Sequence, residues 1–360
     1  MEKEIKHFTF SKILTYFLFT IVFITISILS IVLIYTQNNT GNFQIFKIFS
    51  FEVFIKLFIL LILYYLFDTL RFYFMLKALN VNVGFIYMFK MNFVNILVSN
   101  VTPFATGGGI GQIYFLNKRN VSVASASAAV LIRAIISIGC FFVLIPIIIL
   151  FNHDLIYLFP RDNNLIITIV TIVIYAIATF LFYNLIVNTK IIKGFIYRIV
   201  HFLYKKEIIS KLTFRKVILN SFRSTNDFSK SITQFLKGRK LYVIMSFVFT
   251  PLYIIALCAF PAILITDINN SISNFSVVSL QMMVTFVTYF APTPGATGAA
   301  EGSFFYMFQN IIDDHFIAAV TFLWRFVTIH IGVIIGVFVT FFEFCYLRKK
   351  HKNDIKLHQN

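Results

Sequence analysis

The sequence predicts an all-α polytopic membrane protein with six full spans plus two re-entrant helical hairpins that form an inverted repeat. Three observations carry that prediction. The composition is 59% hydrophobic and 12% charged with a mean hydropathy of +0.86, an apolar balance that a water-soluble domain does not have. Six apolar runs each reach the roughly 20 residues needed to cross a hydrocarbon core. Two further apolar stretches are interrupted by near-identical segments, Pro103 to Gly111 and Pro294 to Gly302.

In chain order, the first span is expected at about 12 to 35. It follows Lys3, Lys6 and Lys12 and so starts like a signal peptide, but it is too long for one and reads as an uncleaved span. The second covers 51 to 79, the third 121 to 150, the fourth 164 to 187, the fifth 241 to 265 and the sixth 316 to 346. Between them, 85 to 118 and 275 to 312 stay apolar yet carry helix-breaking Pro and Gly, which reads as two hairpins of half-helices dipping into the bilayer. A single transmembrane domain, 1 to 346, is expected, with repeat A at about 85 to 150, repeat B at about 275 to 346 and a basic tail at 347 to 360.

The repeat is read at a constant offset. Pro103/Pro294, Ala105/Ala296, Thr106/Thr297, Gly107/Gly298 and Gly111/Gly302 are identical, and downstream each copy carries an arginine in an apolar segment, Arg133 and Arg325. Hydrocarbon offers backbone N–H and C=O groups no partner, so broken helices survive at membrane depth only where protein or a watery cavity satisfies them. A duplicated break therefore points to a transport site.

Of the 31 Lys and Arg, thirteen fall in 188 to 240 against only Glu207 and Asp227. Short Lys/Arg-rich loops stay cytoplasmic, which places both termini and this segment inside and leaves only Lys47 and Arg161 outside. The same threading brings the first hairpin in from the cytoplasm and the second from the exterior, so the repeats are inverted. Within 188 to 240, Phe195, Ile196, Ile199, Phe202 and Leu203 recur at helical spacing between basic residues. That suits a helix on an anionic lipid surface, and equally an ordinary positive loop. No nucleic-acid-binding module accompanies the charge, so no nucleic-acid partner is expected.

Intramembrane charges are kept only for a reason. Glu52 and Lys56, four apart, read as a pair along one helix. Asp68 and Arg71 sit near the inner end of their span, where snorkelling to the interface competes with headgroup contact. Arg133 and Arg325 lie too deep to snorkel and are expected to face a cavity, where a guanidinium holds a phosphate in bidentate fashion. They could equally form ion pairs inside the bundle, with Glu301 the obvious partner. Glu301, beside the second break, reads either as a titrating carboxylate or as a plain helix-capping one. In the first copy Ile110 takes its place and Gln112 follows, so the copies are not chemically equivalent. The expected substrate-binding set is Arg133, Arg325, Glu301, Gln112, Arg71 and the break residues Pro103, Thr106, Gly107, Gly111, Pro294, Thr297, Gly298 and Gly302.

Cys140, Cys258 and Cys345 sit in apolar spans without disulfide or zinc spacing, and the seven His are scattered, so no metal is expected. The Gly107 to Gly111 run lacks the Lys-Ser/Thr of a nucleotide loop, so no cofactor is expected either.

Asn100-Val-Thr-Pro-Phe-Ala-Thr-Gly-Gly-Gly, Gln112-Ile-Tyr-Phe-Leu and Pro292-Thr-Pro-Gly-Ala-Thr-Gly-Ala-Ala-Glu-Gly-Ser resemble the lysylphosphatidylglycerol synthase transmembrane-region family, flippase-like integral membrane proteins. The likeness runs from the first span to about residue 346, and departs where relatives often read Gly-Gly-Gln-Pro in place of Gly108-Gly109-Ile110-Gly111. In the multiple peptide resistance factors this region is associated with moving lysylphosphatidylglycerol between leaflets and precedes an aminoacyl-transferase domain. The resemblance implies the flippase-like part alone, with no lipid aminoacylation. Other relatives are linked to polyprenyl-phosphate or glycolipid pathways. The resulting expectation is a transporter, not an enzyme, of a phospholipid or polyprenyl-phosphate-type lipid in the cytoplasmic membrane. An intramembrane lipid-modifying enzyme (phosphatase or glycosyl transferase) and a lipid-sensing scaffold are the alternatives.

Overall fold

The computed structural model describes residue 25 and residues 50–102, 105, 107–152, 189–206, 209–269 and 271–357, and every regular element among them is helical. Among the described residues four helices are long and apolar enough to cross a membrane: Phe51–Ala78 (α1), Val123–Phe151 (α4), Lys240–Ile268 (α7) and the continuous stretch Phe316–Arg348. They fall on four of the six expected spans. The other two, 12 to 35 and 164 to 187, lie outside the described residues.

These spans tolerate internal proline. Pro146 lies inside α4, and Pro251 and Pro261 inside α7, as helices that cross a membrane tolerate. The fourth is a composite of Asp314–Arg325 (α10), a π-helical turn at Phe326–His330 and Ile331–Leu357 (α11). Neither Pro nor Gly occurs after Gly336 to stop α11, and it runs from the apolar stretch into the basic end.

The first interrupted region forms a helical hairpin, Phe85–Asn100 (α2) and Gly107–Asn117 (α3), joined across a break at 101–106. Its two arms are antiparallel. Tyr87 Oη donates to the Phe115 carbonyl at 2.9 Å near the open end, and Gln112 Nε2 donates to the Met91 carbonyl at 3.1 Å in the middle. Near the tip a Cβ on Gly108 would stand 1.9 Å from Ser99 Oγ, so only glycine allows this approach. The second interrupted region is also a hairpin, Asn274–Thr288 (α8) and Ala299–Phe308 (α9), with a 3-10 turn at Pro294–Ala296 between them. At 16, 11, 15 and 10 residues these arms are roughly 24, 16, 22 and 15 Å long, each short of a bilayer core of about 30 Å.

The packing brings the hairpins together. α7 lies along α1, α11 along α2, and the Pro294–Ala296 turn of the second hairpin rests against α2 of the first. Gly332 and Gly336 let α11 close on α2, since a Cβ at Gly336 would meet the Phe93 carbonyl at 2.6 Å. Their far end is tied by Glu343, buried on α11, which pairs with Lys90 at 3.2 Å and Arg119 at 3.8 Å. The basic segment between the spans is a further pair of helices, Thr189–Lys205 (α5) and Lys211–Leu236 (α6), packed on each other.

Candidate functional site

Besides the Glu343 tie, two charged centres lie inside this apolar bundle among the described residues. The first gathers α1, α2, α4 and α7. Arg71 and Asp68, three residues apart on α1, form an ion pair, with Arg71 Nε donating to Asp68 Oδ1 at 2.6 Å, and the two are 5% and 4% exposed. Arg71 Nη1 also donates to Ser137 Oγ at 2.8 Å, and its guanidinium lies 3.7 Å from the centroid of the Tyr253 ring. Neither residue snorkels. The expectation that they reach the interface is corrected here, because pairing, a hydroxyl and a ring face together replace the water that each charge would otherwise seek.

Arg133 of α4 adds a second cation to this centre. Its Nη2 donates to Asn95 Oδ1 at 3.0 Å and its guanidinium sits 4.5 Å from the Phe72 centroid, while Nη1 is buried with no hydrogen-bond partner among the described residues. Tyr289, in the break of the second hairpin, stands within electrostatic reach of Arg71, Asp68 and Arg133. Asn95 of the first hairpin and Tyr289 in the break of the second therefore meet at Arg133. With Asp68 negative and Arg71 and Arg133 positive, the described centre carries one surplus positive charge.

The second centre joins the second hairpin to the end of α10. Arg325 Nε lies 3.0 Å from Glu301 Oε1, and Arg325 Nη2 donates to the Gly295 carbonyl at 2.7 Å. Glu301 Oε2 accepts the Gly298 N–H at 2.7 Å, so the carboxylate also caps the first turn of α9. Both residues are almost fully buried, at 1% and 3% exposure. Of the readings open for Glu301, capping and pairing with Arg325 are what the geometry holds. Here the charges balance.

The break residues have unlike duties. Gly107 N–H donates to Thr102 Oγ1 at 3.0 Å and Gly298 N–H to Glu301 Oε2 at 2.7 Å, so the amides of these two members of the expected binding set are already satisfied by the chain. Gly298 is glycine for its backbone, at φ 86°, whereas Gly107 is glycine because a Cβ would meet Thr102 Cγ2 at 2.5 Å. Gly111 packs on Val94 and Val98, yet among the described residues nothing stands within 4 Å of a Cβ at Gly302. Pro294 opens the 3-10 turn, and Thr297 Oγ1 donates to its carbonyl at 2.9 Å. Gln112 is fully buried at the α2 contact, with its Oε1 unpartnered among the described residues. Pro103 and Thr106 lie outside the described residues.

Sequence reasoning missed Asn95, Ser137, Tyr253, Tyr289 and Glu343. Only Glu343 left a usable signal, as a lone carboxylate near the end of an apolar run. Among the described residues no group of His, Cys, Asp and Glu is placed to hold a metal ion.

A family model described as the lysylphosphatidylglycerol synthase transmembrane region matches residues 20–336. A UPF0104 membrane protein of Archaeoglobus fulgidus is 20% identical over 318 residues, which span 88% of this chain and 93% of that one. No solved structure matches. The apolar helices and the family match together make this a multi-pass membrane protein.

Proposed function

Because the chain belongs to the lysylphosphatidylglycerol synthase transmembrane-region family, we propose that it carries a phospholipid or lipid-linked phosphate across the cytoplasmic membrane without changing the lipid chemically. What supports the reading most is the surplus cation: Arg133 sits inside an apolar bundle, beside the meeting point of two broken hairpins, with one buried guanidinium nitrogen unpartnered among the described residues. A buried charge without a counter-charge is costly, and a lipid phosphate passing through the bundle would supply one.

In this mechanism the phosphate approaches Arg133 and shares the edge of Arg71, while Asp68 keeps Arg71 from binding the anion too tightly. Tyr253 and Tyr289 present hydroxyl-bearing rings to the same centre. The Glu301–Arg325 pair, with Arg325 bonded to the Gly295 carbonyl, holds the second hairpin in shape beside the path. The half-helices are the re-entrant arms of two inverted repeats, and relative movement of the repeats exposes the centre to either leaflet in turn. The sequence holds no nucleotide-binding motif, so the movement is driven by a gradient or only equilibrates the lipid.

The test is purified protein in liposomes with headgroup-labelled phosphatidylglycerol, lysylphosphatidylglycerol or a short polyprenyl phosphate. Protein-dependent exchange of intact label between leaflets supports carriage. A chemically altered lipid, or no exchange of any of the three, sinks it.

A further inference from the structure

We propose that the α5–α6 hairpin is a membrane-surface arm that inserts one face of α5 into an anionic lipid leaflet. The proposal stands on the arm itself and holds whichever lipid the bundle carries.

α5 has two apolar stripes. Tyr197, His201 and Tyr204, spaced four and three residues apart, pack on Phe214 of α6, with ring centroids 6.2, 6.1 and 5.0 Å away. Phe195, Ile199 and Phe202, spaced the same way around the helix, point away from that contact and are 60%, 47% and 58% exposed. Arg198 and Lys205 lie exposed between the stripes, and Arg215, Lys216 and Arg223 are exposed on α6. A helix with large exposed apolar residues bordered by cations matches the boundary between acyl chains and anionic headgroups.

The attachment sets the arm's height. Phe235, near the end of α6, is 2% exposed in a cluster with Phe72, Met75, Ala78 and Ile132. A Cβ on Gly238 would stand 2.2 Å from the Ala78 carbonyl. The root is thus pinned where α1 ends and α7 begins, the level at which two spans leave the apolar layer. At that level a protruding basic arm meets headgroups first. Phe72 of the same cluster is the ring beneath Arg133, so the arm is rooted next to the first charged centre.

The experiment uses the full chain with Ile199→Trp, reconstituted in vesicles with brominated acyl chains, and subtracts the signal of the parent, whose only tryptophan is Trp324. In vesicles rich in phosphatidylglycerol the added emission should be quenched roughly twofold or more. Quenching should weaken in purely phosphatidylcholine vesicles and in Arg198→Glu/Lys205→Glu/Arg215→Glu/Lys216→Glu, whose helicity is checked by circular dichroism. Equal quenching in neutral and anionic vesicles would overturn the requirement for anionic lipid. Emission accessible to acrylamide but not to bromine would place the arm in water and overturn insertion. Emission shielded from both, with residue 199 cross-linking between copies of the chain, would make the face a protein interface and overturn it as well. None of these readings depends on transport, so failure here leaves the carriage test untouched.

Discussion

The two arginines that follow the two breaks, read as counterparts in the sequence, stand in opposite electrostatic situations. Arg325, at the end of α10, is closed off by Glu301 and the Gly295 carbonyl of the second hairpin, and its charge and that of Glu301 cancel. Among the described residues Arg133 hydrogen-bonds an amide oxygen and lies on a ring face, with Asp68 of the Asp68–Arg71 pair in electrostatic reach but already paired. The difference teaches that sequence likeness preserved the backbone break while the chemistry diverged. One arginine is tied to a carboxylate, and the other keeps a buried nitrogen unpartnered among the described residues.

Breaking the tied centre should have the largest effect. Glu301→Ala leaves Arg325 buried without its carboxylate and unseats the cap on Gly298, and should cost about 3–5 kcal/mol, read as a lowered melting temperature in detergent. The double change Glu301→Met/Arg325→Met should recover most of that loss. If the double variant is no more stable than the single one, the pair is not the reason for the damage.

A smaller effect is expected at the tip of the first hairpin. Gly108→Ala forces a methyl against Ser99 and Asn95 and should cost about 1–3 kcal/mol. Gly302→Ala, with open space around its Cβ, should stay within about 0.5 kcal/mol. Equal losses at the two positions would show that the hairpins are packed alike after all. On the charge side, Arg133→Met should change stability by no more than about 1 kcal/mol in either direction, because the cation it removes is unpaired among the described residues. A loss as large as that of Glu301→Ala would reveal a hidden partner and erase the contrast. The smallest effect belongs to Glu52→Gln. Its 2.7 Å pair with Lys56 is exposed, so the substitution should leave the melting temperature in detergent unmoved.

Much of the scaffold was legible before the coordinates, because apolar run length and helix-breaking residues are local properties. The spans at 51 to 79, 121 to 150, 241 to 265 and 316 to 346 are found within a few residues of their expected limits, and both interrupted regions are hairpins. The Glu52–Lys56 pair was readable for the same reason, and the Glu301–Arg325 pair was a named possibility. What could not be read were contacts made between helices far apart in sequence. Nothing local announces that Ser137 and Tyr253 surround Arg71, that Asn95 waits for Arg133, or that Glu343 reaches Lys90. The aligned glycines misled for a related reason. Gly107 is required by a neighbour's side chain and Gly298 by its own backbone angle, and a one-letter match carries neither cause.

The central claim is that the uncompensated charge of Arg133 holds a lipid phosphate in transit. It is tested most directly by leaflet exchange of a headgroup-labelled lipid in liposomes, with Arg133→Met compared against Glu301→Met/Arg325→Met at matched levels of folded protein. The account predicts that Arg133→Met melts like the parent yet exchanges lipid roughly tenfold or more slowly, while the neutralised pair retains a substantial rate. Parental exchange by Arg133→Met would contradict it.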